Sequence, residues 1–181
     1  FGGWEMPVQY EGILNEYEHT RRAVTLFDTS HMGEFVIEGD LVESDLDRLV
    51  TMRLNDMPIK TCRYGCLCNE NGGVIDDLIT YFVSDNYYRL VVNSATRVKD
   101  MAWINKQAAD FDVVVTELPE LAMIAVQGPK AKEKAAKVFT PEQNEKMIGV
   151  KPFFGIDAGN LFIATTGYTG EDGYEIILPQ E

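Results

Sequence analysis

Asn71-Gly72-Gly73-Val74-Ile75-Asp76-Asp77-Leu78-Ile79-Thr80-Tyr81 is a tight turn followed by a strongly apolar strand with two adjacent carboxylates. Asp is depleted in strands, because its short side chain competes for backbone groups and resists burial. A pair of them inside Val-Ile and Leu-Ile needs a reason, and the reason proposed by the pattern is a ligand pocket. Residues two apart share a face of a strand. Asp77 therefore lies with Ile75, Ile79 and Tyr81, and Asp76 with Val74, Leu78 and Phe82. Both faces are apolar, so composition does not rank the two.

The neighbouring strands carry the argument outward. Thr61 to Cys68 is a strand leading into the turn, and Tyr87 to Asn93 a third, so the three form an antiparallel meander. With Asn71-Gly72 as a two-residue loop, Asp77 lies opposite Cys66; with Gly72-Gly73, opposite Cys68. Either register puts Tyr64 on the face of Asp77 and Tyr81. A flat, hydrogen-bonding heterocycle can stack on such rings and meet the carboxylate. Asn93 is left open: a three-residue loop Ser84–Asn86 sets it opposite Asp77, and a two-residue loop Asp85-Asn86 puts it on the Asp76 face. Loss of hydration should raise the pKa of an Asp on such a face, which suits proton exchange with an amine or stabilisation of a developing cation.

Before this meander, Tyr10 to Leu26 has the spacing of a helix (Ile13, Leu14, Tyr17, Val24, Leu26), and Phe27 to Gly33 breaks it as a loop. Glu34 to Glu38 is a strand. Asp40 with Glu43 resembles a capping box, opening a helix to about Val50 that buries Leu41, Val42, Leu46 and Leu49. After the meander, Ser94 or Thr96 caps a helix to about Ala109, and Asp112 to Thr116 is a strand. Leu121 to Gln127 is a strand ended by Gly128, with a helix from Pro129 to Phe139. Asn160 to Thr165 and Gly173 to Leu178 make a last strand pair. Strand, glycine, helix and further strands thus occur twice, near 34–50 and 121–139. The expected fold is α+β: antiparallel sheets with packed helices in two related, interleaved units, the second spanning about 28–118.

Apolar residues make up 45% and charged residues 25% of the 181 residues, ordinary values for a globular chain. The net charge of -13 argues against nucleic acid or an anionic membrane as the main partner. No apolar run reaches membrane-spanning length. Cys62, Cys66 and Cys68 are an odd count in one stretch, so they are expected to be free thiols in a reducing compartment. Phe1 to Trp4 already resembles folded protein and the chain halts just past a strand pair, so the expectation is a segment cut from a longer one.

A second unusual piece is Thr166-Gly167-Tyr168-Thr169-Gly170-Glu171-Asp172-Gly173-Tyr174-Glu175. It lacks the Lys of a phosphate loop and the spacing of a dinucleotide fingerprint. Glu171 and Asp172 would repel phosphate, so a neutral or cationic ligand fits better. Glu175 can accept two parallel hydrogen bonds from an amino-pyrimidine edge. His31 in Ser30-His31-Met32-Gly33 could serve as a base, but is read as structural.

With these segments in hand, the chain resembles the tetrahydrofolate-dependent aminomethyltransferases of the glycine-cleavage T-protein (GcvT) family. The matching pieces are Gly3 to Tyr10, Phe27 to Gly33, Gly72 to Leu78, Val91-Val92-Asn93, Val126 to Pro129 and Thr166 to Gly173, in the family's order. Many members carry Arg where Thr165 stands. The resemblance implies three domains around a folate site, of which residues 1–181 supply the N-terminal folate-binding region. It also implies transfer of a methylene from the aminomethyl-lipoyl arm of H-protein to tetrahydrofolate, with release of ammonia. It assigns the catalytic role to Asp77, pterin-pocket positions to Met32, Tyr64, Tyr81, Val91 and Asn93, the carboxylate gripping the pterin edge to Glu175, and the adjoining loop to Tyr168. It implies tetrahydrofolate as co-substrate, no metal, and lipoylated H-protein as partner, with neither nucleic acid nor membrane. The compartment would be the bacterial cytoplasm or the mitochondrial matrix. The absent second half would supply basic residues for the folate tail, so residues 1–181 alone are expected to be inactive and to bind folate weakly. Two alternatives stand beside this: another folate-dependent one-carbon transferase or demethylase, and a non-catalytic folate-binding relative.

Overall fold

The structure, a computed structural model, describes residues 3–40 and 46–180. The chain divides into two compact units, one made of residues 1–31 with 121–181 and the other of residues 32–120. The first unit begins with α1 (Ile13–Arg22) and β1 (Thr25–Asp28). The inserted unit holds β2 (Gly33–Glu38), a 3-10 turn (Leu46–Leu49), β3 (Cys62–Cys68), β4 (Val74–Ser84), β5 (Tyr87–Val92), α2 (Arg97–Ala108) and β6 (Val114–Glu117). The first unit resumes with β7 (Leu121–Gln127), α3 (Ala131–Ala135), α4 (Pro141–Met147), β8 (Gly155–Ala158), β9 (Leu161–Ala164) and β10 (Gly173–Pro179).

Each unit carries one five-stranded sheet, ordered β6-β2-β5-β4-β3 in the inserted unit and β1-β7-β10-β9-β8 in the other. All their pairings are antiparallel. In both, a first strand is followed by a helical segment and a hairpin, and the next strand returns beside the first. The same winding is used twice. The fifth strand, beside the first, comes last in the inserted unit and from before the first strand in the other. The junctions repeat as well: Gly39 after β2 has φ +136 and Gly128 after β7 has φ +135. Side chains rarely adopt that conformation. A Cβ would also meet the Asp112 carbonyl oxygen at 2.9 Å at Gly39, and the Ala23 carbonyl oxygen at 2.4 Å at Gly128.

In the inserted unit one face of the sheet forms the core. Phe35, Leu78, Leu90 and Val92 pack there with Ile104 and Ala108 of α2, all nearly inaccessible to solvent. The period of two then turns Tyr64, Asp77, Ile79 and Val91 to the other face. That parity, set by burial, is what presents the site residues together.

Several boundaries differ from the sequence expectations. The first helix ends at Arg22, not Leu26. Thr25–Asp28 instead pairs with β7, Leu26 opposite Val126; the β-branched and aromatic run prefers the pleated pairing. Ile13, Leu14 and Tyr17 stay exposed, and Thr20 is the residue α1 buries. Glu16 closes the start of α1, its Oε1 accepting from the backbone N–H groups of Tyr10, Glu11 and Gly12 at 2.7, 2.7 and 3.1 Å. The expected capping box reaches Glu43, outside the described residues, as do Leu41 and Val42; over 46–49 the chain is a 3-10 turn. The helix expected over 129–139 is the short α3. The helix α4 was not foreseen, although Thr140-Pro141-Glu142-Gln143 carries a full capping box, with Gln143 N–H donating to Thr140 Oγ1 at 3.2 Å. Among the described residues, no helix is long and apolar enough to cross a membrane.

The two glycine environments lead to a test. A Cβ on Gly72 (φ +78) meets nothing within 4 Å, so Gly72→Ala should cost only about 1–2 kcal/mol of dihedral strain. Gly128→Ala adds a backbone clash and should cost at least ~2 kcal/mol more. Urea unfolding of both variants measures the difference.

Candidate functional site

The site in the inserted unit is built from two irregular hairpins. Between β3 and β4 the loop is Glu70-Asn71-Gly72, closed by Asn69 N–H to Gly73 O at 2.9 Å, so neither two-residue loop is formed. The pairing then shifts by one residue between Leu67 and Cys68, and Cys66 lies opposite Asp77. Between β4 and β5 the loop is the two-residue Asp85-Asn86, with Ser84 opposite Tyr87; a bulge between Phe82 and Ser84 then shifts the register. Ile79 consequently faces Val91, the pairing expected of the longer loop. Bulges of this kind re-aim side chains without changing the strands.

One row of that face runs Glu34, Val91, Ile79, Tyr64 across β2, β5, β4 and β3. The next runs Val36, Arg89, Tyr81, Cys62. Asp77 follows the first row by two residues. The Tyr64 hydroxyl donates to Asp77 Oδ2 at 2.6 Å. That bond to the carboxylate is the main reason the Tyr64 phenol is pushed above its ordinary pKa. Tyr64 is 62% exposed, while Tyr81 and Val91 are buried. Met32 directly precedes β2 and is half-buried. Arg89 and Glu34 form a buried ion pair at 3.0 Å on the same face.

Asn93 directly follows β5 and joins the two aspartates. Its Nδ2 donates to Asp76 Oδ1 at 3.0 Å, to Asp77 Oδ1 at 3.1 Å and to the Asp77 carbonyl at 3.1 Å. Its backbone N–H donates to Asp76 Oδ2 at 3.0 Å. Asp76 is buried on the core side. Burial alone would raise its pKa, but hydrogen bonds, those from Asn93 foremost, outweigh this and hold it below the usual carboxylate range.

Sequence reasoning missed Asp100. It stands with Ile104 and Ala108 on the buried stripe of α2 and is wholly inaccessible to solvent. An Asp at i of an otherwise apolar i, i+4, i+8 stripe was the available signal. Burial pushes its pKa up to about 7, and the neighbouring Asp76 adds to the shift, while Thr96 and Lys99 oppose it. Thr96 is the N-cap residue of α2, yet its hydroxyl donates to the Asn93 carbonyl at 3.0 Å and makes no capping bond.

The other unit holds Glu175 and Tyr168. Glu175 lies on β10 between Ala125 and Ala164, so its cross-strand neighbours carry only methyl groups. Burial raises its pKa, opposed by a hydrogen bond with Thr166. A desolvated carboxylate flanked by small residues fits the donor-rich edge of a flat heterocycle. The Tyr168 phenol is pushed up to about 12 by loss of hydration and then by the charge of Glu175. The loop is glycine-rich for a packing reason: a Cβ on Gly167 would fall 2.0 Å from Gln127 Oε1. Gln127, fully buried, accepts from Thr169 Oγ1 at 2.9 Å and donates to the Thr166 carbonyl at 3.2 Å. Glu171 pairs with Arg21 at 2.9 Å and Asp172 with Lys132 at 3.1 Å. His31 is half-buried, its pKa lowered by burial. The three cysteines are free thiols, and among the described residues no group of His, Cys, Asp and Glu is arranged to hold a metal.

The family model described as GCVT N-terminal domain matches residues 1–181. The chain belongs to that family. It superposes on the glycine cleavage system aminomethyltransferase T from Bartonella henselae with a TM-score of 0.90 at 35% identity. The match covers 99% of this chain and 48% of that one, so the chain spans about half the length of that relative. A chain of the heterotetrameric sarcosine oxidase from Corynebacterium sp. U-96, in complex with pyrrole 2-carboxylate, shares the fold alone. Its TM-score is 0.57 at 13% identity, over 90% of this chain and 81% of that one. The fold is therefore that of a glycine cleavage T-protein-like aminomethyltransferase.

Asp100 makes stability depend on pH in a defined direction. Its carboxyl is ordinary in the unfolded chain and raised to about 7 when folded, so the folded state keeps the proton longer. Stability from this group is complete below the unfolded pKa and declines as pH rises from about 4 to about 7. Asp76, shifted the other way, loses its contribution only below that window. Asp100→Asn should therefore gain stability relative to the parent as pH climbs to 7, by on the order of 4 kcal/mol at most. Thermal unfolding of both proteins at matched pH values tests this.

Proposed function

We propose that this chain forms the folate-binding region of a tetrahydrofolate-dependent aminomethyltransferase of the glycine cleavage system. The observation that carries the reading is the Asp77 carboxylate, held at Oδ2 by the Tyr64 hydroxyl and at Oδ1 by the Asn93 amide. Two hydrogen bonds from neutral donors orient the group without neutralising its charge. Such a carboxylate can accept a proton from, or stabilise positive charge on, an amine brought against it.

The substrate supplies the chemistry of the reaction: nucleophilic folate nitrogens take the methylene of an aminomethyl-lipoyl arm, giving 5,10-methylenetetrahydrofolate, ammonia and the reduced lipoyl dithiol. In this scheme Asp77 orients the pterin and passes protons between its N5 position and the departing amine. Tyr64 offers an exposed ring face and Met32 half-buried apolar surface, while Tyr81 and Val91 are buried and back the site without presenting a face to a ligand. Glu175 accepts hydrogen bonds from the pterin edge beside Tyr168. Lipoylated H-protein is the proposed donor. The retained Asp77, Asn93 and Glu175 favour catalysis over a purely binding role.

On the full-length protein, tetrahydrofolate-dependent release of ammonia from aminomethylated H-protein should be lost in Asp77→Asn by roughly a hundredfold or more, with the circular dichroism spectrum unchanged. Loss in Asp76→Asn with Asp77→Asn active would reverse the assignment. Absence of turnover in the parent protein would remove the proposed reaction itself.

A further inference from the structure

Asp100 is fully buried in the core side of the inserted unit, away from the face that carries Tyr64 and Asp77. Among the described residues no donor bonds to either of its oxygens. An ionised carboxylate in that state would have lost its water with only the opposing influence of Thr96 and Lys99 in return, so its desolvation stays largely uncompensated. A proton resolves the difficulty. The neutral acid has an O–H to donate, and the acceptor beside it is the Asp76 carboxylate. Asp76 spends one oxygen on the Asn93 backbone N–H and the other on the Asn93 side-chain amide. The same amide reaches Asp77 Oδ1.

The helix holding Asp100 is tied at its first turn. Lys99 Nζ donates to the Ile75 carbonyl on β4 at 2.8 Å, and the Asp100 N–H donates to the Thr96 carbonyl at 2.9 Å. Thr96 Oγ1 is in turn bonded to the Asn93 carbonyl. Asn93 is therefore gripped at its N–H, its amide and its carbonyl by groups that all meet at Asp100 or its helix turn.

We propose that Asp100 is a positioning residue for Asp77: in its neutral form it donates to Asp76, and Asp76 then fixes the Asn93 amide that orients the Asp77 carboxylate. The chain of bonds crosses the sheet, from the core side to the exposed face. Asp100 touches no substrate and transfers no proton in the reaction. The need is for a permanent donor at position 100, so Asn should replace Asp, and Ala should not.

The inference rests on the proposed function only for its activity readout, and two readouts do not require folate. Tyr64 reports on Asp77 through their hydrogen bond, so its phenol titration follows the carboxylate's position. The 15N resonance of the Asn93 side-chain amide reports on the bridge directly. In the full-length protein, Asp100→Ala should return the Tyr64 titration toward the ordinary phenol range and shift the Asn93 amide signal, while Asp100→Asn leaves both near the parent. In the aminomethyl-transfer assay Asp100→Ala should lower kcat by about tenfold with KM little changed, and Asp100→Asn should restore it. A folded Asp100→Ala with unaltered Tyr64 and Asn93 signals overturns the proposal. So does an Asn variant as impaired as the Ala variant. Should Asp100→Ala fail to fold, carboxyl 13C spectra of the parent decide. The Asp100 carbon should show a protonated acid at about pH 5 and move in Asp76→Asn. An ionised Asp100 there, or one indifferent to Asp76, overturns it. If the Tyr64 and Asn93 readouts respond as expected while no turnover exists, the positioning stands and the reaction falls.

Discussion

The primary amide of Asn93 sits against two carboxylates that could not otherwise occupy consecutive positions of a half-buried strand. Adjacent residues of a strand point to opposite faces, so Asp76 and Asp77 need separate solutions. Asn93 supplies part of both: its amide bonds to a carboxyl oxygen of each, and its backbone N–H completes Asp76. The cost of burying Asp76 is met by hydrogen bonding to the charged form, which is why its pKa falls despite its inaccessibility. Asp77 is left on the opposite face with a phenol at one oxygen and the amide at the other.

That arrangement depends on register, and register depends on two bulges. Without the shift between Phe82 and Ser84, β5 would slide by one residue against β4 and every side chain would change its partner. The core of Phe35, Leu78, Leu90 and Val92 against α2 makes such a slip costly, because it would bring residues such as Arg89 to the packed side. Hydrophobic burial on one face thus holds the polar geometry on the other. The two units share this winding, down to a glycine near φ +135 after the first strand, and the polar residues differ. The inserted unit bears the Asp77 cluster; the other bears Glu175 between alanines, with a Gly-rich loop packed on Gln127. A repeated scaffold carrying unlike side chains is an economical way to present two kinds of polar contact.

Much of this was legible in the order of residues. The apolar run Val74 to Tyr81 and the Asn-Gly turn specified a hairpin, and period-two parity alone placed Tyr64, Asp77 and Tyr81 on one face. Both candidate loops had that consequence, so the structure's third solution, a longer loop followed by a bulge, left the grouping intact. Asn93 was not legible, because its place depended on whether one residue bulged between Phe82 and Ser84, which no local propensity announces. The strand Thr25–Asp28 is divided in the sequence reading between a helix ending at Leu26 and a loop from Phe27, because Val24 and Leu26 also suit helical spacing, and only β7 beside it decides.

By itself the sequence determined the α+β class, the recurrence of a strand ended by glycine, and the membership of Tyr64 and Asp77 in one face, because these follow from local periodicity and residue type. The tertiary structure alone decided the bulged registers, the bridging role of Asn93 and the apposition of Asp100 with Asp76. Those contacts join residues 17 and 24 positions apart, as 93 − 76 and 100 − 76 count them. They exist only once α2 packs on the sheet, and a buried acid acquires its character from the groups that packing brings to it.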